Sequence, residues 1–289
     1  MHESVIVKAA NPRGPTDPFD AERESHFYAA LYPALNIPKL EIHYIGKDEP
    51  SGWLVIAMQD LGATHRTPVH PYRWSRAEVD SVLRAYAGLH TSARGSFDYA
   101  WLVPRHESLL DFDKLPEHVA TIQGAGIWGR VPELADLMAF ARESCRKFSR
   151  EELGLLHGDT TPTNAPLPKS SSKAATLIDW QDVGIGLPEF DLAYLDLQPF
   201  ESARGIPRPE LLERYWHFRA EIENGIPSAE ERRARQLHAD LVTALWLSAA
   251  AARVSLHPFP EGTYPHMHWA SQYGIVYNRL RALGREIDR

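Results

Sequence analysis

The side chains most able to do chemistry lie between Leu155 and Leu195. Leu155 and Leu156 lead into His157-Gly158-Asp159, and Asn164 follows five positions after Asp159. A polar turn and the apolar run from Ala174 to Ile178 then deliver Asp179. A carboxylate at the end of a loop, an amide oxygen shortly after it and a second carboxylate at a strand end can converge. Hard oxygen ligands of this kind suit Mg2+, which takes one or two protein carboxylates and completes its shell with substrate phosphates and water. The remaining carboxylate is free to accept a proton from a hydroxyl. Taken singly, each residue has a plainer reading: a lone Asp is a surface residue, and His157 is a packing and hydrogen-bonding residue that shapes the loop. The order and spacing of the set carry the chemistry.

His-Gly-Asp, four residues, Asn, and then Ile178-Asp179-Trp180 resembles the signature of the aminoglycoside phosphotransferase and choline kinase group. These are relatives of protein kinases, whose loop reads H-R-D-x-x-x-x-N and whose second metal ligand belongs to D-F-G. The resemblance continues through Gly186 to Phe190-Asp191-Leu192-Ala193. It implies ATP (or GTP) and Mg2+ as cofactors and a small-molecule hydroxyl as acceptor. It assigns Asp159 as catalytic base, Asn164 and Asp179 as metal ligands, and Asp191 as the aspartate that holds the catalytic loop. Trp180 is expected to pack near the metal loop. In the front of the chain, Lys8 ends a β-branched run and Glu24 lies on the following helix. In kinases a strand lysine touches the nucleotide phosphates and pairs with a helix glutamate. Glu24 is preferred to Glu22 because Phe27 and Leu31 place it beside the apolar face. The segment Glu22 to Tyr28 is similar to the E-x-x-F-Y stretch of the ecdysteroid-kinase-like and choline-kinase-like branch. Ala57 to Gly62 resembles the hinge that meets the adenine, so Met58 and Asp60 are assigned to cofactor binding through their backbone.

The sequence also departs from that family. The family places two strands and a phosphate-covering hairpin before the lysine strand, whereas here seven residues precede Lys8. No G-x-x-x-x-G-K-[ST] motif occurs later, and the one G-x-G-x-x-G spelling, Gly124 to Gly129, lies in the helical back of the chain and not between strands of the front lobe. A shortened sequence, a misassigned start or a genuine loss would each explain this. The expected consequences are weaker nucleotide positioning and an open sheet edge that a homo-oligomer could cover. The alternative function is therefore pseudokinase-like: nucleotide or ligand binding with weak or no turnover. A metal-dependent hydrolase is disfavoured because no H-E-x-x-H or similar paired-His set is present, and a protein kinase because D-F-G and A-P-E are absent.

The elements that must position these residues read as follows. Val5-Ile6-Val7 is expected to be a buried strand ending at Lys8, and Asn11 to Pro18 a Pro/Gly-rich loop. Asp17-Pro18, with Asp20 in the first turn, starts a helix that Phe27 and Leu31 continue and Pro33 and Pro38 end. Glu41–Gly46 and Trp53–Met58 are expected as strands. Beyond Met58 helices dominate. Ser75 and Glu78 form a capping box before a helix with Val79, Leu83, Tyr86, Ala87 and His90 on one face. Pro132–Phe148 is a second helical segment. Ser228 and Glu231 cap the longest helix, through Leu237, Leu241 and Leu245 towards Leu256. A short strand pair is expected at Ala165–Leu167 and Thr176–Asp179, kept short or at an edge by Pro166 and Pro168. The fold class is α+β: a protein-kinase-like two-lobe fold with a truncated, β-rich N-lobe over residues 1–62 and a large, mainly helical C-lobe over 63–289.

Bulk properties narrow the partners. A net charge of −7 over 289 residues provides no basic excess for general nucleic-acid binding. The single cysteine, Cys145, excludes an intrachain disulfide and a Cys-based zinc cluster and is expected to be buried. The N-terminus lacks the pattern of a signal peptide, and Ala244–Leu256, with Arg253 inside it, is too short to span a bilayer. A cytoplasmic protein with no membrane contact is expected. Asp182, Glu189, Asp196 and Glu201 are candidates for an acidic acceptor rim, with a solvated surface as the plainer reading. Trp216, Trp246 and Trp269 could wall a choline-like cation, but core packing is the stronger reading.

Overall fold

The computed structural model describes residues 4–10, 18–48, 50–67, 74–92, 99–102, 104–105, 113–124, 134–148, 152–170, 173–197, 206–256 and 275–285. The expected loop at 11–17 lies outside them. The front of the chain builds a three-stranded antiparallel sheet from β1 (Val5–Ala10), β2 (Ile42–Lys47) and β3 (Leu54–Gln59), in the order β1-β3-β2. β3 is central and alternates: Leu54, Ile56 and Met58 are buried and the residues between them half-buried. This period of two turns one row of side chains inward. α1 (Pro18–His26) packs against β3. It opens into a wider π-helical turn, Phe27–Leu31, that buries Phe27, Tyr28 and Leu31.

β1 corrects one expectation. Val5, Ile6 and Val7 are 46%, 48% and 62% exposed, so this is not a buried strand. Among the described residues its one strand neighbour is β3, which leaves it at the edge of the sheet. β-branched residues mark a strand, but exposure is set by what lies on both sides of it.

The rest is mainly helical. α2 (Arg76–Ser92) starts at the expected capping box: the Ser75 N–H donates to Glu78 Oε2 (2.5 Å) and the Glu78 N–H to Ser75 Oγ (3.4 Å). All five of its expected apolar-face residues are buried. α3 (Leu115–Gly124), α4 (Leu134–Cys145) and α5 (Glu189–Asp196) pack against α7 (Ala229–Leu256), while α6 (Arg208–Ile222) lies along α2. α7 has the same kind of cap, with the Ser228 N–H on Glu231 Oε2 (2.8 Å) and the Glu231 N–H on Ser228 Oγ (3.2 Å). A final helix, α8 (275–285), buries Val276, Leu280 and Leu283. Cys145 is buried and in no disulfide.

Short strands finish the frame. β4 (His65–Arg66) pairs with β6 (Leu167–Pro168), and β5 (Gly154–Leu156) with β7 (Gly184–Gly186), both antiparallel. The expected pairing of Ala165–Leu167 with Thr176–Asp179 is therefore not the ladder observed. Residues 174–179 instead run beside 164–166 through two bonds, Thr176 N–H to the Pro166 carbonyl (3.1 Å) and Ile178 N–H to the Asn164 carbonyl (3.0 Å). Pro166 and Pro168 accept but cannot donate, which limits the ladder on this side.

Candidate active site

β5 delivers the loop His157-Gly158-Asp159, and the sharpness of its turn depends on Gly158. Its φ is +85°, and a Cβ there would lie 2.0 Å from the Asp182 carbonyl oxygen. Glycine alone meets both conditions cheaply. The loop is clamped from below by Asp191, in the first turn of α5 and 2% exposed. Asp191 Oδ2 accepts the His157 N–H (2.8 Å) and Oδ1 the Gly158 N–H (3.0 Å). Thr160 Oγ1 donates to the Asp191 carbonyl (2.9 Å). His90, in the last turns of α2, lies with Nε2 3.0 Å from Asp191 Oδ2 and Nδ1 2.7 Å from the Tyr215 hydroxyl. Burial holds the His90 pKa below its ordinary value. The neutral ring therefore donates from Nε2 to Asp191 and accepts at Nδ1. Burial alone would raise the Asp191 pKa, but the His90 hydrogen bond, with help from His157, holds it below the usual carboxylate value.

His157 is fully buried and links the two halves of the motif. Its Nε2 lies 2.9 Å from the Ile178 carbonyl, and its Nδ1 accepts the Asp159 N–H at 3.3 Å. The residue therefore ties the segment before Asp179 to the Asp159 loop, as a shaping residue would. Trp180 is also fully buried, stacked on Phe27 at 4.2 Å and tilted against His157 at 4.5 Å. It joins α1 to the loop.

Asp159 and Asn164 meet directly. Asn164 Nδ2 donates to Asp159 Oδ2 (2.9 Å) and to the Asp159 carbonyl (3.1 Å). This spends the amide nitrogen and leaves its oxygen for another partner. Asp159 Oδ1 is buried with no hydrogen-bond partner. Burial raises the Asp159 pKa; His157 opposes this, and the Asp182 and Asp179 carboxylates add to it. Asp179 sits in the left-handed region at φ 64°, ψ 67° and starts the turn Trp180–Asp182. It is the one non-glycine residue with positive φ among the described residues, a conformation that aspartate tolerates better than most.

Lys8 closes the set from the sheet. Its Nζ lies 2.6 Å from Glu24 Oε2 and bonds Asp179 Oδ1 as well. Burial would lower the Lys8 pKa, but Glu24 and Asp179 more than offset this and hold it above the ordinary lysine value. Burial pushes the Glu24 carboxyl up, with Lys8 opposing. Glu24 Oε1 accepts the Trp180 N–H (3.2 Å), so the same side chain also orders the residue after Asp179.

Met58 and Asp60 stand apart from this cluster. Met58 pairs with Ile6 and Ile42 inside the sheet. The Asp60 carboxylate takes the Gly62 N–H (2.8 Å) and the Ser4 hydroxyl (2.7 Å), and these bonds lower its pKa. The acidic-rim reading is corrected for two residues: Glu189 is fully buried, and Asp196 is 3% exposed and bonded to Arg208 (2.5 Å). Both belong to α5, which runs through the core. Asp182 does reach the site, with its Oδ1 3.1 Å from Arg105 Nη2. Trp216 is buried, and Trp246 packs on Tyr194 at 5.6 Å. Glu201 and Trp269 lie outside the described residues. Sequence reasoning missed two supports. His90 showed only as one more residue on an apolar face, and Arg105 had no signal around it.

The donor set fits a hard cation. Among the described residues no three His, Cys, Asp or Glu side chains converge as a metal cage. The oxygens that could hold such a cation are those of the Asn164 amide and the Asp179 carboxylate, an oxygen-only set of the kind Mg2+ accepts with substrate phosphates.

Comparison with known proteins bears on the fold and the family. No curated protein sequence matches the chain. Among solved structures, the GDP complex of an aminoglycoside 2'-phosphotransferase superposes with a TM-score of 0.61 at 13% identity, covering 96% of this chain and 85% of that one. A choline/ethanolamine kinase family protein from Mesorhizobium loti gives 0.58 at 13% identity, covering 97% and 87%. An aminoglycoside phosphotransferase from Streptomyces rimosus, in complex with ADP and streptomycin, gives 0.56 at 17% identity, covering 83% and 87%. At such identities the likeness establishes the kinase-like α+β fold. The sequence itself matches the family model of the phosphotransferase enzymes over residues 2–231, so the chain belongs to the phosphotransferase enzyme family.

Proposed function

We propose that this chain, a small-molecule kinase by its family, moves the γ-phosphoryl group of ATP or GTP to a hydroxyl of an amino-sugar, a choline-like molecule or another alcohol. One observation carries the reading: from four separate stretches of chain, Asp159 bonds Asn164 and Lys8 bonds both Glu24 and Asp179, and His157 bridges the two groups, accepting the Asp159 N–H and lying 2.9 Å from the Ile178 carbonyl next to Asp179. The structures of relatives with GDP and with ADP support a nucleotide as the donor. The proposed arrangement has two lobes, residues 1–62 and 63–289, with the nucleotide between them.

In this reading Asn164 and Asp179 would hold Mg2+, and Lys8 the phosphates. Bound there, the metal nucleotide supplies the phosphoryl group and offsets its charge. Asp159 orients the acceptor hydroxyl and takes its proton, using the oxygen that is buried and unpartnered. Glu24 holds Lys8 in place. Asp191, His90 and His157 fix the loop so that Asp159 need not reorganise, and most of the acceleration comes from that positioning. Met58 and Asp60 are proposed to meet the nucleotide base through backbone groups.

The test is phosphoryl transfer from labelled ATP and GTP to a panel of amino-sugars, choline analogues and hydrophobic alcohols, with wild type and Asp159→Asn side by side. Transfer that depends on Mg2+ and collapses in the variant supports the proposal. Equal turnover by both proteins removes Asp159 from its role.

A further inference from the structure

Away from Asp159 and Asp179, the first turns of α6 and α7 and the helix α8 border a second cavity of about 770 Å³. That is within the usual range for a small-molecule site. Four arginines, Arg208, Arg232, Arg233 and Arg279, border it against two carboxylates, Glu213 and Asp240. On a chain of net charge −7 this is a local reversal of sign.

Asp240 is 1% exposed and accepts from Arg208, Arg279 and Gln236 Nε2, the last at 2.8 Å. It is saturated and contributes no free charge. Arg208 is shared between Asp240 and Asp196. Arg232 and Arg233 have no carboxylate partner among the described residues. The Arg232 guanidinium lies 5.4 Å from the Trp216 ring, and its Nε is buried with no hydrogen-bond partner. Gln236, 6% exposed, keeps Oε1 buried without a partner as well. A buried donor and a buried acceptor left unpaired beside one cavity are costly unless something in the cavity meets them. The donor belongs to a guanidinium, which calls for an anionic acceptor. Gln236 Oε1 calls for a hydroxyl. The helix ends at 208 and 229 add the positive ends of two dipoles. Trp216, Leu212 and Leu237 supply an apolar wall for a carbon skeleton.

We propose that this cavity is a second binding site, for a small organic anion that carries a hydroxyl group, separate from the site around Asp159.

Glycerol 3-phosphate is the probe, with glycerol as the uncharged control, titrated calorimetrically into the full chain. Wild type, Arg232→Gln, Arg233→Gln and Lys8→Ala are compared. Wild type is expected to bind glycerol 3-phosphate and not glycerol. Arg232→Gln should weaken binding about tenfold or more, the worth of a charge-assisted hydrogen bond. Arg233→Gln, on an exposed side chain, should weaken it without touching the fold. Lys8→Ala should leave it unchanged. Absence of binding by folded wild type at millimolar probe overturns the proposal. So does binding that is lost in Lys8→Ala and kept in both arginine variants, because it then belongs to the nucleotide site.

Discussion

Asp159 divides its two oxygens between unlike tasks: Oδ2 rests on the Asn164 amide, and Oδ1 is buried and open. Replacing it by Asn keeps the shape and removes the proposed base. Turnover should fall by about 10²–10⁴-fold, while nucleotide binding, followed by calorimetry, stays within a small factor of wild type. The pKa gives a second prediction. Burial places the folded value above the unfolded one, so this group favours folding below its unfolded pKa and loses that contribution as pH rises through the folded value. At neutral pH the ionised carboxylate therefore costs stability, and Asp159→Asn should melt higher than wild type. In the same direction, the acid limb of kcat/KM should lie above the ordinary aspartate value. A melting point lowered at neutral pH would contradict this. At this scale much of the candidate site was legible, because the proposed chemistry restricts which residue types can serve at Asp159, Asn164 and Asp179 and the chain order restricts their spacing. Lys8 and Glu24 were legible only beside that motif. Arg105 was not legible: its value comes from reaching Asp182 across the fold, which no local pattern records.

The loop that carries Asp159 has little structure of its own and borrows rigidity from α5 and α2. Asp191 answers two loop N–H groups and His90 together. Each buried donor orphaned by Asp191→Ala costs about 1–3 kcal/mol, so a loss of at least about 3 kcal/mol is expected. Urea denaturation checks it; a loss under 1 kcal/mol, by about the cost of a surface change, would deny the clamp. The sign with pH is opposite to that of Asp159. The Asp191 pKa is depressed, so its stabilisation is full above the unfolded value and is lost as pH falls through the folded one. Gly158→Ala should also disable the loop, because the added Cβ meets the Asp182 carbonyl at a positive φ. The long helices were readable from capping boxes and apolar spacing, since those signals are local. The two- and three-residue strands were not: β5 and β7 are defined by each other, and His65–Arg66 gave no sign that it would claim Leu167–Pro168. β1 was read as a strand and misread as buried for the same reason, since burial depends on a neighbour outside the segment.

At the scale of the molecule, Lys8 is the join: it stands on the sheet, and its charge is shared between Glu24 on α1 and Asp179 on the helical side. A metal nucleotide that engages Lys8, Asn164 and Asp179 therefore binds the assembled fold and not the unfolded chain. Mass action then makes it a stabiliser. At a hundredfold excess over its Kd the gain is about 2.7 kcal/mol, which for a chain of this size raises Tm by about 5 °C. The shift should need Mg2+, should persist in Asp159→Asn, and should shrink sharply in Lys8→Ala, because in the proposed mechanism the first residue acts on the acceptor and the second on the phosphates. Differential scanning fluorimetry with ATP or GTP, each with and without Mg2+, reads all three. A full shift in Lys8→Ala would place the nucleotide elsewhere. A full shift in wild type together with no transfer to any acceptor would mean that the same geometry binds without turning over, because the proposed mechanism gives gripping the phosphates and deprotonating the acceptor to different residues, so that one can be lost without the other.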